Sequence, residues 1–455
     1  MNATECNTEQ VEFQALKGRK VLVRFDGGEM SSDGGLLLLR EVDKRSRLVE
    51  RFCQCFTDHR NQLLIKHELS ELMSQRIYAL ACGYEDLSDH DSLRNDCLLS
   101  MVVGKGEEEV IASKSTLNRL ELTGADATEK SRYKKVVCDF EAVRRFFVEF
   151  FLNSQAHQLK QIILDLDATD FTLYGKQEGR FFHGYYGDYC YLPLYILCGE
   201  QLLAAELRPS NIDASAGTVE YLERIIPMLR ARYPEVRIIL RADSAFTRES
   251  IMAWCEANGV DFLFGLAKNE RLIAEVSAEL ETMEQRYAVT QTACRCFKEF
   301  PYRTLESWSR ARRVVAKVEY LDKGSNPRFV VTSLSRESAK TLRLYEKWYC
   351  KRGDMENRIK EQLSLFADRM STHTMRANQI RLFLSSVAYL LVTHLRRRAL
   401  KGTELERAQV NTIRLRLFKI GARITKSVRR VLISFASGYP WKELFQTAYW
   451  RIVQT

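Results

Sequence analysis

Three acidic residues and their neighbours carry the clearest chemical signal in this chain. Asp167 closes a short apolar run inside Asp165-Leu-Asp-Ala-Thr-Asp170, and Asp243 closes another inside Arg241-Ala-Asp-Ser-Ala-Phe246. Glu356 lies in Trp348-Tyr-Cys-Lys-Arg-Gly-Asp-Met-Glu-Asn-Arg-Ile-Lys-Glu361. Tyr349, Arg352 and Glu356 are spaced i, i+3, i+7, so a helix brings a phenol, a guanidinium and a carboxylate to one face. Strands side by side with carboxylates at their C-terminal ends present them to one crevice, where open α/β sheets bind ligands. Two close carboxylates repel and resist ionising together unless a cation neutralises them. Hard oxygen ligands suit Mg²⁺, and a pair of such ions stabilises the attacking and leaving oxygens of an in-line phosphoryl displacement. A guanidinium can grip phosphate through two parallel hydrogen bonds. The competing reading is plainer: each Asp opens a turn, and Arg352 and Glu356 form an i, i+4 surface pair.

The elements that must position these residues follow from periodicity. Ile162–Asp167 is a β-branched apolar strand, Leu192–Leu197 and Leu202–Leu207 flank a tight turn at Cys198-Gly-Glu200, and Val236–Asp243 and Val260–Leu266 are further strands. Between them Thr218–Tyr233 is an amphipathic helix, and a second runs to Asn258 with Thr247 as a candidate N-cap and Gly259 after its end. The order β-β-β-α-β-α-β predicts a mixed sheet with helices on its faces, an α/β core in an α+β chain. Phe300–Thr304, Arg312–Tyr320 and Phe329–Leu334 read as antiparallel strands of a β-rich insertion at about 287–335, after which helix returns over Ser338–Phe366. Upstream, a strand at Lys20–Phe25 leads into glycine turns. Helices follow over Leu36–Phe56, His67–Cys82 (stopped by Gly83), Leu93–Val103 (stopped by Gly104) and Cys138–Phe151. Ala112–Glu121 has Ser and Thr at its start and Leu117/Leu120 on one face, the look of a DNA-reading helix or of an ordinary surface one. Three regions result: a mostly helical 1–157, a core at 158–370, and a basic helical 371–455.

Composition narrows the class. The 455 residues are 45% hydrophobic and 28% charged, and Gly (22) and Pro (7) are few, which excludes a collagenous or mainly disordered chain. The longest apolar stretch, Leu382 to Leu395, is interrupted by Ser, Thr and His and is too short for a membrane span. The N-terminus shows no signal-peptide pattern. The 12 cysteines form two C-x-C pairs, Cys53/Cys55 and Cys294/Cys296, and read as reduced packing residues of a cytoplasmic protein. From Met370 to Thr455 there are 16 of the 69 basic and 3 of the 59 acidic residues, a net of +13, so the remainder of a +10 chain carries −3. Charge gathered in one region points to a polyanionic partner.

With these motifs in order, the chain resembles the DDE transposases of bacterial insertion sequences, in the branch carrying a Y-x2-R-x3-E signature. Tyr349, Arg352 and Glu356 match that signature, Asp167-Ala-Thr169 an Asp-x-Thr motif, and Asp243 to Phe246 an Asp-Ser-x-Phe motif. Phe25-Asp-Gly-Gly28, Ser32-Asp-Gly-Gly-Leu-Leu-Leu-Leu-Arg40, Ala81–Asp86 and Asn357–Glu361 are similar as well, so the likeness extends over most of the chain. It implies an RNase H-like catalytic core with a β-rich insertion, in which Asp167, Asp243 and Glu356 hold two Mg²⁺ ions, with Mn²⁺ able to substitute. Tyr349 and Arg352 would position DNA. The neighbouring Asp165, Asp170, Asp354 and Glu361 fall outside the matched positions. The branch often carries Lys seven residues after the Glu; here that position is Leu363, and Lys360 is the candidate replacement. Trp308, among Arg303, Arg310, Arg312 and Arg313, is a candidate for holding a flipped base. The aromatic run His183–Tyr191 could pack a hairpin or stack on bases. The resemblance implies transposon-end inverted-repeat DNA and target DNA as partners, a homodimer in the DNA complex, and a bacterial protein associated with the nucleoid when bound. The alternatives are a metal-dependent nuclease without strand transfer and an inactive DNA-binding relative.

Overall fold

The computed structural model describes residues 10–106 and 109–454. The chain divides into two compact units that interleave in sequence: Met1–Val49, Asn61–Asn118 and His394–Thr455 form one, and Glu50–Arg60 with Arg119–Thr393 the other.

The second unit is built on a nine-stranded mixed sheet. Its elements, in chain order, are helix α1 (Phe140–Asn153), β1 (Gln161–Ala168), β2 (Leu194–Cys198), β3 (Gln201–Glu206), α2 (Thr218–Arg232), β4 (Arg237–Ala242), α3 (Glu249–Ala257) and β5 (Asp261–Leu266). They continue with β6 (Cys294–Tyr302), β7 (Arg312–Leu321), β8 (Gly324–Ser325), β9 (Arg328–Thr332) and α4 (Gly353–Leu363). The strand order is β3-β2-β1-β4-β5-β9-β7-β6, with β8 on β7. β1, β4 and β5 run parallel, whereas β2 and β3 are antiparallel. Five strands in the order 3-2-1-4-5, the first three antiparallel, form the RNase H-like core.

Strand alternation sorts the two faces. Ile162, Leu164 and Leu166 of β1 and Ile238, Leu240 and Ala242 of β4 point to one side, where they bury Leu222, Ile225 and Leu229 of α2 and Ile251, Met252 and Cys255 of α3. Ile163 and Ile239 point to the other, into a second cluster with Leu263, Leu344 and Tyr345. Asp165, Asp167, Arg241 and Asp243 share the parity of that second face, so the residues packed by the α2/α3 side and those available for chemistry alternate along the same strands.

The insertion is not a separate β body. β5 pairs antiparallel with β9, so the added strands extend the core sheet edge instead of folding on their own. A free edge on β5 would present unpaired backbone groups, and β9 satisfies them. Thr247 does not cap α3 as its spacing predicted: the cap position is Arg248, and the Thr247 hydroxyl donates to the Gly265 carbonyl of β5 instead.

In the other unit, the N- and C-terminal segments are woven together. Gly34 N–H donates to the Ile420 carbonyl (2.9 Å) and Gly35 N–H to the Phe418 carbonyl (3.1 Å). A Cβ on Gly35 would stand 1.7 Å from the Leu417 oxygen, so only glycine permits this approach, which accounts for the Ser-Asp-Gly-Gly motif structurally. Helix Leu69–Cys82 stands as its periodicity implied and ends at Gly83 with φ of 94°. The single helix expected over Leu36–Phe56 breaks at Arg47, which is left-handed at φ 52°, into Leu36–Ser46 and Leu48–Cys53, and Phe56 opens a short strand instead. The helix expected from Leu93 starts only at Cys97, capped by Asp96, and ends at Gly104 with φ of 103°. The basic C-terminal region departs from an all-helical reading. Ala422–Ser427 and Arg430–Phe435 form a hairpin, because their period is two rather than 3.6, and Met30–Ser31 joins it as a third strand. Another hairpin, Gln10–Leu16 with Arg19–Arg24, turns at Lys17-Gly18, both at positive φ. Leu117 and Leu120 of Lys114–Glu121 are buried, which is the ordinary outcome for that amphipathic segment. Among the described residues no helix is long and apolar enough to cross a membrane, and the cysteines form no disulfide.

Candidate active site

The two aspartates come from adjacent parallel strands. Asp165 of β1 is in register with Arg241 of β4, and continuing that register by two residues sets Asp243 beside Asp167. Asp167 is held by its own strand end: the Ala168 N–H donates to its Oδ1 at 2.9 Å. Asp243 follows the last residue of β4 and opens a tight turn, accepting the Ala245 N–H at 2.9 Å while Phe246 is buried in the core below. The Asp-Ser-x-Phe motif is therefore a carboxylate on a fixed turn, anchored by a buried ring.

The helix that brings the third carboxylate is irregular. Its backbone winds as a π-helix over Leu344–Tyr349, tightens to 3-10 over Cys350–Arg352, and becomes α-helical from Gly353. A simple i, i+3, i+7 face is thus not the actual geometry, yet the contacts converge. The Arg352 guanidinium lies 3.6 Å from Asp167 Oδ2 through Nη1 and 3.1 Å from Glu356 Oε1 through Nη2. It sits between the two carboxylates as their shared cation. The Tyr349 hydroxyl reaches β5 at Gly265, where a Cβ would stand 2.5 Å from it, so the glycine makes room for the phenol. Burial raises the Tyr349 hydroxyl pKa, opposed by nearby Arg352 and reinforced by Asp243.

One residue that sequence reasoning did not single out ties these segments together. Arg241 is buried and forks Asp165 with Nε–Oδ1 at 2.5 Å and Nη2–Oδ2 at 2.7 Å, while Nη1 donates to the Trp348 carbonyl at 2.5 Å. It stands two residues before Asp243, its partner Asp165 two before Asp167, and Trp348 one before Tyr349. A single guanidinium therefore fixes all three chemical segments relative to one another. The only local signal was the matched parity of Arg241-Ala-Asp and Asp165-Leu-Asp.

The electrostatics of the crevice are those of a site short of positive charge. The Asp167 carboxyl is pushed up to about 7, first by burial and then by the neighbouring Asp243 and Glu356 carboxylates, with Arg352 opposing. Its hard oxygen donors, with a single arginine shared among the carboxylates, fit a divalent cation. Among the described residues no three His, Cys, Asp or Glu are drawn into a formed metal cluster, and Arg352 supplies the positive charge instead. A cavity of about 780 Å³ adjoins Asp243 and is lined by Lys268, Lys317, Arg328, Tyr345, Tyr349 and Arg352, so cations and phenols surround the space next to the carboxylate.

The remaining candidates divide. Lys360 is exposed on α4 one turn beyond Glu356, and Leu363 is the last residue of α4. Asp354 is exposed, whereas Glu361 is buried and paired with Arg358 at 2.6 Å. Trp308 departs from its expected role. It is 3% exposed, packed edge-on against Tyr302 at 5.7 Å with Arg312 over its ring at 5.5 Å, so here it is a packing residue whose face is covered. Its arginine neighbours are engaged as well: Arg312 joins Glu249 at 2.6 Å and Glu256 at 2.7 Å.

No curated protein sequence matches the chain. Among solved structures, a piggyBac transposase synaptic complex with hairpin DNA is similar over 85% of this chain and 79% of that one, at 10% identity and a TM-score of 0.40. The sequence pattern of the family described as "Transposase DDE domain group 1" matches residues 13–455, which takes in both units and every residue of the crevice. With its two strand-end aspartates and the helical glutamate inside that match, the chain belongs to the transposase DDE domain group 1 family.

Proposed function

We propose that this protein cuts the phosphodiester at transposon-end inverted repeats, frees a 3′-hydroxyl, and uses that hydroxyl to attack target DNA. The observation that carries the reading is the meeting of Asp167, Asp243 and the Arg352/Glu356 pair at the C-terminal ends of parallel strands.

Asp167, Asp243 and Glu356 are the residues that would hold two Mg²⁺ ions, or Mn²⁺ in their place. Such ions, when bound, activate the attacking oxygen and neutralise charge on the leaving one. Arg352 then has a second task. With its carboxylate partners neutralised, its planar fork is free to take two oxygens of the scissile-strand phosphate. Tyr349, fixed beside Gly265, offers a hydroxyl to the same backbone, and exposed Lys360 adds charge further along it. Arg241 and Asp165 do no chemistry; they keep the strand ends and the helix in one geometry, because misplacement by about 1 Å can cost about 100-fold in rate. The basic C-terminal region supplies phosphate contacts, and two protomers pair the two ends.

The test is a single-turnover assay on the element's own terminal repeats with target DNA supplied. Asp167→Asn, Asp243→Asn and Glu356→Gln should each lose at least ~10³-fold in cleavage, the equivalent of several kcal/mol of transition-state stabilisation, with end binding retained. Wild-type rates in any one would remove that residue from the site. Cleaved ends without a joined product would make the protein a nuclease.

A further inference from the structure

The aromatic segment that follows Asp167 is not used by the chemistry above. Strand Phe181–His183 and strand Asp188–Tyr191 form a hairpin, turned at Gly187 with φ of 73°, and short strand Phe171–Thr172 pairs with its second arm. Because Phe171 lies only four residues past Asp167, the hairpin is rooted at the edge of the carboxylate crevice. Tyr186 in the turn faces inward: burial, then Asp170 and Asp167, push its hydroxyl up to about 12.

The rest of the segment faces outward. Tyr174 is 91% exposed, Phe181 41%, Phe182 57%, Tyr185 87% and Tyr189 44%. These are five of the ten exposed aromatic side chains among the described residues, gathered into 16 positions, and no exposed Leu, Val or Met stands among them. Phe182 and Tyr189 face each other across the hairpin at 5.6 Å, Arg180 lies over the Tyr189 ring at 3.8 Å, and Tyr185 caps the turn. A hairpin that packed only itself would hide these rings. A protein-binding face would mix in aliphatic groups. Exposed rings beside the carboxylate crevice, with Tyr189 sharing its face with Arg180, fit nucleobases, since every base stacks on an aromatic ring whatever its sequence.

We propose that the Phe182/Tyr189 face of the hairpin, with Tyr185 at its turn, is a stacking platform for unpaired nucleotides of a DNA strand passing the carboxylate crevice. The proposal rests on the DNA-processing reading and adds a single-strand subsite to it.

The probe is oligo-dT, set against a duplex of equal length and arbitrary sequence, with the full-length protein. Tyr185→Ala and Phe182→Ala should lose roughly five- to 100-fold in affinity for oligo-dT and little for duplex, whereas Tyr185→Phe should bind as wild type because the ring, not the hydroxyl, stacks. A strand carrying 2-aminopurine should be quenched by the wild type and not by Tyr185→Ala. Unchanged oligo-dT affinity in both alanine variants, at wild-type melting temperature, would overturn the proposal. So would equal losses for duplex and single strand, or a shift of Tyr185→Ala from dimer to monomer, which would make the face a contact between copies. Asp167→Asn should still bind oligo-dT normally, so a failure of the catalytic assignment would appear in cleavage and leave this result standing.

Discussion

Asp33 in one unit and the half-buried Asp167 in the other are treated in opposite ways. Asp33 is 1% exposed and fully answered: Lys419 stands 2.7 Å from Oδ1, the Tyr84 hydroxyl donates to Oδ2 at 2.6 Å, and its own N–H donates to Ser31. Asp167 faces two further carboxylates across a crevice with one arginine shared between them. A buried charge whose partners are all supplied by its own fold is a structural joint. One left short of positive charge is costly to keep, and a protein retains it where a ligand supplies what is missing. The contrast separates motif from motif: Ser32-Asp-Gly-Gly35 is answered within its own unit, and Asp167-Ala-Thr169 is left open to a ligand.

The sharpest break in the comparison is Lys419→Met. It strands Asp33 as an uncompensated buried charge and should cost about 3–5 kcal/mol, seen as a lowered denaturation midpoint. Asp167→Asn should do the reverse, raising stability at pH 8 in the absence of metal by about 2–4 kcal/mol. The pH profile sharpens the same point. The folded-state pKa of Asp167 lies above its unfolded value, so the stability present in acid is lost as pH rises from about 4 through about 7. A divalent cation that takes the proton's place should therefore raise the melting temperature more at pH 8 than at pH 5, and Asp167→Asn should abolish most of that gain. A Mg²⁺ effect independent of pH would separate the cation from this carboxyl. Arg352→Lys keeps the charge but not the fork, and about a tenfold slower cleavage is expected at unchanged stability. The smallest effect concerns phosphate binding alone. Arg429 and Arg430 are exposed at the turn of the C-terminal hairpin, and Arg429→Gln with Arg430→Gln should flatten the slope of log affinity against log salt by roughly 0.9 for each phosphate no longer neutralised.

Much of the crevice was legible in the sequence because its parts are local. A β-branched run ended by Asp, a glycine-stopped helix, and a Tyr-Arg-Glu spacing each declare themselves within a dozen residues. What escapes such reading is set by long-range register. Arg241 and Asp165 are 76 positions apart, and only the matched parity of the two strand ends hints at the pairing. The π and 3-10 winding before α4 is hidden because its spacing also fits a regular helix. Trp308 misleads through its arginine neighbours, which pair with Glu249 and Glu256 far away in sequence and so contribute to packing instead of a basic patch. In the C-terminal strands, the density of charge masks a period of two.

The seam at Gly34 and Gly35 also sets an order of assembly during synthesis. These glycines dock against Leu417, Phe418 and Ile420, so the unit they belong to lacks its closing segment until residues beyond His394 leave the ribosome. Every crevice residue, Asp167 to Glu356, has been made by then. At roughly 5–20 residues per second, the earlier segment of that unit, which ends at Asn118, waits on the order of a quarter-minute to a minute for its partner, while most of the other unit emerges in between. A chain stopped just before His394 would carry every residue of the carboxylate crevice and an unfinished companion unit.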